Sequence, residues 1–193
     1  MFYNANLFDA SLCAKLSEMS NKKIIAVVAT DKKGVIGKDD RVPWRIRDDL
    51  VRLKNLTKDN TVILGRKTYQ SMLGYYEKSG REMPGEIYLV VTKNRDFVPG
   101  RKNARAVYSP DEAINVAEVK KAAEVYVLGG GAIFEAMLPF TTNIYLTKVD
   151  ADVDGDAFFP EINMNEWKEL SKEHNKKDDR NEYDYDYITL EKL

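Results

Sequence analysis

One cysteine, one histidine and two tryptophans are all that this chain of 193 residues has of those types, and each shortage excludes something. Cys13 cannot form an intramolecular disulfide by itself, so the fold has to be held by its core, and a cytosolic setting suits such cysteine usage. His174 lies in a charged stretch near the C-terminus, which leaves neither a histidine metal cluster nor a histidine general base. Cys13 is too isolated to make a Cys-His nucleophile. Net charge is lacking as well: 30 basic against 31 acidic residues leave −1, with no global field to select nucleic acid or an anionic membrane. No apolar run approaches the roughly 18 residues of a membrane span. The first twenty residues, with Asp9, Glu18 and one early cation at Lys15, do not resemble a secretory signal. The expectation is a cytoplasmic protein, monomeric, with neither nucleic acid nor membrane as partner.

What is present is a regular alternation. From Ile24 onward, β-branched and aromatic runs predict strands at 24–29, 61–64, 86–92, 105–108, 124–129 and 143–149. Most are apolar almost throughout, as strands covered on both faces are. Helices are expected between them at RDDLVRLKNL, RKTYQSM, SPDEAINVAEV and AIFEAML, the third opening on Ser109, Pro110, Asp111 and Glu112, a good cap and first turn. Residues 183–193 alternate aromatic with acidic side chains, which predicts an antiparallel strand near an edge with one wet face. The stretch from Gly74 to Gly85 and the KKDDRNE segment read as loops. The pattern is that of one α/β domain over 22–193. Residues 1–21 form an extension, either a frayed tail or a short amphipathic helix with Leu12, Leu16 and Met19 on one side.

The most informative stretch is VPWRIRDDL. At about 100° per residue, Ile46, Leu50, Leu53 and Leu56 share one arc of the following helix; Asp49 falls inside that arc and Asp48 points away. Both acids favour the positive end of a helix dipole, which accounts for Asp48. An unpaired carboxylate facing the protein would cost several kcal/mol, so Asp49 requires a cation, a metal or a ligand with paired N–H donors. Elsewhere, LGGGAIFEAML joins a strand to a helix through glycines, either a phosphate cradle or simply a tight turn. It is not the GxGxxG fingerprint, because Phe134 stands where a third small residue would be. VILGRKTYQSM repeats the arrangement, with Gly65 followed by Arg66, Lys67 and Thr68 where cations oppose the dipole and want an anion. A third strand ends in Thr92 and Lys93. Two helix starts plus basic groups suit one extended dinucleotide with an extra phosphate, NADPH rather than NADH. The alternating acids Asp150, Asp152, Asp154 and Asp156 do not meet the EF-hand pattern, and no metal is expected.

Taken in order, IIAVVATDKKGVIG, VPWRIRDDL, VILGRKTYQSM, EVYVLGGGAIFEAMLP and IYLTKVDADVDGDAFFP resemble the dihydrofolate reductase family from Ile24 to the C-terminus. The resemblance implies a three-layer fold: an eight-stranded sheet, mostly parallel with an antiparallel C-terminal strand, flanked by about four helices. It implies hydride transfer from NADPH to C6 of the pterin of 7,8-dihydrofolate, in support of one-carbon and thymidylate metabolism. Asp49 would accept hydrogen bonds from the pterin 2-amino group and N3, with Thr147 on the same edge and Trp44 holding a water. Val27, Val28, Ala29, Leu50, Leu53, Met72 and Leu128 would line the substrate pocket. Cofactor groups would be Ala29, Ile36, Gly37, Gly65, Arg66, Lys67, Thr68, Thr92, Lys93 and the run Gly129, Gly130, Gly131, Ala132, Ile133 and Phe134. The loop from Asp31 to Arg41 would close over the nicotinamide, steadied by Asp156.

One departure matters. Where the family usually has an arginine to clamp the folate α-carboxylate, this chain reads Pro84, Gly85, Glu86. Either Arg81, or Lys54 and Arg52 on the helix, takes over the clamp, or the substrate lacks a glutamate tail. The competing readings are the related riboflavin-biosynthesis reductase and a catalytically idle binding protein.

Overall fold

The computed structural model describes residues 22–119 and 122–193. The short helix considered for the N-terminal extension lies outside them, as does Cys13. In chain order the strands are β1 (Lys23–Thr30), β2 (Val35–Gly37), β3 (Thr61–Gly65), β4 (Ile87–Val91), β5 (Ala104–Val107), β6 (Glu124–Val127), β7 (Asn143–Val149), β8 (Ala157–Phe158), β9 (Trp167–Asn175) and β10 (Tyr185–Lys192). The helices are α1 (Arg47–Thr57), α2 (Arg66–Lys78), α3 (Pro110–Val119) and α4 (Gly131–Met137).

Eight strands form one sheet in the order β5-β4-β3-β6-β1-β7-β10-β9, and β2 pairs with β8 in a separate two-stranded piece. Neighbours from β5 to β7 run parallel; β10 runs against β7 and β9 against β10, so β10 alone opposes the rest. Helices cover both faces. Ala113 of α3 and Phe134 and Met137 of α4 pack with Ala26, Val28, Ile63, Leu89 and Val127 on one face. Tyr69 and Met72 of α2 pack with Val62, Leu64, Tyr88 and Val90 on the other. A third cluster joins Trp44 and Ile46, at the start of α1, to Val149, Ala151 and Tyr185. Burial on both faces explains why the central strands are nearly all apolar.

Three expectations need correction. Helix α2 continues through Gly74, Tyr75 and Tyr76 to Lys78, where the sequence suggested a loop. Tyr76 and Leu73 pack on the α2 cluster, so tertiary burial carries the helix past a glycine that costs it only about 1 kcal/mol. Secondly, β9 was not expected, because its exposed positions are Lys, Glu, Ser and His with a single Leu170, and show no alternation. A highly charged strand is what a sheet edge tolerates, and β9 is that edge; β10 lies one strand in. Thirdly, Asp48 points away from the apolar arc as expected, but it is held there by side chains of the 176–184 loop and not by the helix dipole alone. The predicted cap of α3 is present: Glu112 N–H donates to Ser109 Oγ at 3.1 Å, and Glu112 Oε2 accepts from Tyr108 N–H at 2.8 Å.

Candidate active site

Register builds the pocket. Ala29 pairs with Thr147 across β1 and β7, and Thr147 with Tyr187 across β7 and β10, so these three side chains emerge in a row on one face. Val27 and Tyr145 form the next row. Asp49, in the first turn of α1, comes down on the Thr147 row, and Thr147 Oγ1 donates to its Oδ1 at 2.5 Å. Arg52, one turn further, lies over the rings of Tyr187 (4.1 Å) and Tyr145 (5.7 Å), with Nη1 donating to Thr147 Oγ1 at 3.4 Å. Burial pushes the Asp49 carboxyl above the usual carboxylate range, against the opposing pulls of the Thr147 hydroxyl and the Arg52 guanidinium. Tyr187 is also pushed up, by burial first and then by the charge of Asp49.

Asp48 anchors the helix instead. Its Oδ2 accepts from Asn181 Nδ2 (3.1 Å) and Arg180 Nη2 (3.3 Å), while its N–H donates to Asn181 Oδ1 at 3.2 Å. The 176–184 loop, read as merely polar, therefore fixes the start of α1 and the direction of the acid next in sequence. Asn181 is 2 % exposed, and nothing in a polar loop sequence announces such a role.

Leu50 stays 45 % exposed although it lies on the apolar arc of α1, which leaves an open apolar wall beside Asp49. Leu53 is half-buried, and Met72 and Leu128 pack against the α2 cluster. Val28 is corrected: its side chain belongs to the α3–α4 face with Phe134, and cannot line a pocket on the Asp49 face. Trp44 is buried among Ile46, Val149, Ala151 and Tyr185.

The two phosphate-ready turns lie side by side because β3 and β6 are adjacent. Gly65 N–H donates to Gly129 O at 2.7 Å, joining the start of α2 to the turn before α4. Gly129, at φ +87°, has Phe134 so close that a Cβ would fall 2.5 Å from Cε2; one on Gly131 would fall 2.7 Å from the Phe158 carbonyl oxygen. This turn is a cradle that side chains cannot enter, the open backbone surface that a pyrophosphate uses. The Thr68 hydroxyl faces Gly130, 3.6 Å from where its Cβ would be. Thr92 and Lys93 follow β4 on the same edge of the sheet, Lys93 exposed and Thr92 buried. Arg66 reaches Gln70 at 2.9 Å, and Lys67 is paired with Asp40 at 3.1 Å. Ala132 is exposed and Ile133 half-buried, whereas Phe134 is corrected from cofactor contact to core, stacked edge-on to Phe159 at 5.0 Å. These groups fit a dinucleotide lying across the carboxyl edges of β3, β4 and β6.

The acidic run at 150–156 explains itself against the 31–41 loop. Lys32 pairs with Asp150, Lys33 with Asp152 at 2.5 Å and Lys38 with Asp154 at 3.9 Å. Asp156 Oδ2 accepts from Asp39 N–H at 3.1 Å, and its own N–H donates to Gly37 O at 3.1 Å. Ile36, within β2, packs against the core below.

At the far end, Gly85 is locked. Its N–H donates to the Tyr88 hydroxyl at 2.7 Å, its carbonyl accepts from Asn103 Nδ2 at 3.1 Å, and a Cβ would sit 2.7 Å from the Tyr88 ring. Burial pushes the Tyr88 phenol up to about 12, so it stays protonated. Glu86 is exposed, its N–H held by Asn60 O at 3.0 Å. Arg81 and Lys54 are also exposed. Arg52 is corrected here: its guanidinium is committed to the two tyrosines and Thr147, inside the pocket.

Fold and site together define a class, an α/β reductase plan in which a dinucleotide cradle on the sheet edge adjoins a pocket closed by one acid. The dihydrofolate reductase family model matches residues 23–192. A dihydrofolate reductase from Staphylococcus haemolyticus is 38% identical over 171 residues, 89% of this chain and 96% of that one. Another, from Enterococcus faecium, is 37% identical over 150 residues, 78% and 84% of the two chains. Among solved structures, the dihydrofolate reductase from Enterococcus faecalis complexed with NADP(H) and RAB-propyl is similar at TM-score 0.77 and 29% identity, covering 89% of this chain and 97% of that one. The chain belongs to the dihydrofolate reductase family.

Proposed function

We propose that the family's reaction, NADPH-dependent reduction of 7,8-dihydrofolate to 5,6,7,8-tetrahydrofolate, runs in this chain through the pocket closed by Asp49, and that it serves one-carbon and thymidylate metabolism in the cytoplasm of a soluble, monomeric enzyme. The observation that carries the reading is the Asp49–Thr147 pair at 2.5 Å, an acceptor carboxylate with Arg52 and its two tyrosines on the interior side and the exposed Leu50 next to it on the helix. Two adjacent N–H donors on a flat ring match such a carboxylate in spacing and charge. Asp49 therefore binds and orients the pterin, and Thr147 fixes which way its oxygens face. Trp44 closes the same corner and holds a water there. Val27, Ala29, Leu50, Leu53, Met72 and Leu128 supply apolar walls that exclude bulk water from the ring.

When bound across Gly65, Arg66, Lys67, Thr68, Thr92, Lys93 and the Gly129–Gly131 turn, NADPH supplies the hydride that C6 accepts, while N5 takes its proton from water. Ala29, Ile36 and Gly37 would contact the cofactor at its nicotinamide end. The protein's work is positioning and electrostatics. Asp49→Asn should keep the pocket's shape but lose an ionic acceptor, lowering kcat/KM for dihydrofolate by about 10²-fold or more. Undiminished activity in that variant would refute the role given to Asp49 and with it the catalytic reading.

For the substrate tail, the withdrawal of Arg52 into the pocket leaves Arg81, with Lys54, as the cations available to a folate α-carboxylate, and Glu86 as a charge that repels it. Arg81→Ala is expected to raise KM for dihydrofolate several-fold while leaving that for a tailless dihydropterin within twofold, by steady-state kinetics on both. Equal effects on the two substrates would instead support a substrate without the tail.

A further inference from the structure

The lysine-aspartate ladder between the 31–41 and 150–156 loops and the locked turn before Glu86 each end in contacts already accounted for; the interior side of Asp49 does not. A flexible arginine on an amphipathic helix would ordinarily extend to solvent. Here Arg52 turns inward and lies over two rings, its guanidinium carbon 4.1 Å from the centre of Tyr187 and 5.7 Å from that of Tyr145. Its Nη1 reaches the Thr147 hydroxyl at 3.4 Å, and that hydroxyl in turn donates to Asp49 at 2.5 Å. Two ring faces and one hydroxyl oxygen come from β7 and β10, so the position of the cation is imposed by the sheet and not by the helix that carries it.

We infer that Arg52 is a positioning residue for the reaction: clamped by Tyr187 and Tyr145, its fixed cation acts through Thr147 and space on Asp49 and keeps that carboxylate charged and oriented when it meets the pterin. The inference rests on the reading of Asp49 as the pterin acceptor. The groups facing Asp49 are Arg52 on its own helix, Thr147 from β7 and Tyr187 from β10, with Tyr145 of β7 under the Arg52 guanidinium; Asp48 is turned away to Asn181 and Arg180. Of these only Arg52 is a cation. The two phenols cannot balance a carboxylate that burial disfavours, and the Tyr187 phenol is itself pushed up by burial first and then by the charge of Asp49. The guanidinium is permanently charged, whereas a lysine there would offer a point charge without the planar face that the rings grip.

Two readouts on the full chain test this. The first is a carbon-13 NMR titration of protein labelled at aspartate carboxyls, with Asp49→Asn assigning the resonance. The second is the pH profile of kcat/KM for a tailless dihydropterin, which removes any contribution from a carboxylate tail. In Arg52→Met the Asp49 midpoint is expected to rise by about one pH unit, and the acid limb of the profile to rise with it, a loss of up to about tenfold at pH values below the new midpoint. Arg52→Lys should restore much of the shift, and Tyr187→Leu, which releases the clamp, should reproduce part of it. If Arg52→Met does not fold, Arg52→Gln is measured in its place. A midpoint unmoved or lowered, or activity lost equally at every pH, would overturn the inference. Failure of the underlying reading looks different: Asp49→Asn would remain active whatever Arg52 does.

Discussion

At the scale of single residues the site sets stability against use. Asp49 has a raised carboxyl pKa in the folded chain, chiefly from burial, with Thr147 and Arg52 opposing. The folded state thus holds a proton there more tightly than the unfolded chain. The stability this contributes is full below the ordinary carboxylate value and is lost as pH rises through the raised one. At neutral pH the charged acid consequently works against the ligand-free fold. Asp49→Asn is expected to raise Tm at pH 7 by roughly 2–4 °C for each kcal/mol relieved, with the gap closing towards pH 3. Calorimetry at the two pH values checks this, and a lower Tm at pH 7 would count against it. Asn181 acts in the opposite sense. Its buried amide completes the shell of Asp48, so Asn181→Ala should cost about 1–3 kcal/mol and loosen the entry to α1, seen in a denaturant midpoint.

Among elements, the informative relation is between the 31–41 loop and the 150–156 loop. Three lysine-aspartate pairs join them, all well exposed, so each contributes little to stability and less still in high salt. Asp156 differs, since it accepts the backbone N–H of Asp39 and donates its own to Gly37, tying the loop at the end of β2. The loop pair is expected to act as a gate, so Asp156→Ala should lower kcat severalfold with little change in KM for dihydrofolate, while Asp150→Asn stays within twofold. Steady-state kinetics at low and high ionic strength separate the two. The sequence showed the acids of this run but not their partners, because alternation in a loop has no register until the neighbouring loop is placed.

For the whole molecule, the glycine cradle and the Asp49 pocket share one sheet and are expected to bind separably. NADPH at about 100 times its dissociation constant should stabilise the fold by about 2.7 kcal/mol in thermal melts. That shift should survive Asp49→Asn and be lost in Gly131→Ala, whose new Cβ would press on the Phe158 carbonyl oxygen. Equal losses in both variants would mean that the regions are not independent. Much of this plan was written in the sequence. Hydrophobic runs of strand length, a capped helix at Ser109, two glycine turns before helices and one acid on an apolar arc are all local patterns, fixed by backbone geometry and the period of each element. What the sequence could not decide were matters of register and of which face packs. Val28 and Phe134 turned to the core because alternation and burial assigned them there. Strand β9 was unreadable because a wet edge needs no apolar period. Arg52 read as a candidate clamp for the substrate tail until the pairing of Thr147 with Tyr187 put two rings and a hydroxyl beneath it. Asp49 itself was legible because the helix period is local, but its charge is governed by what β7 and β10 bring to it across about a hundred residues of chain, which only the tertiary structure decides.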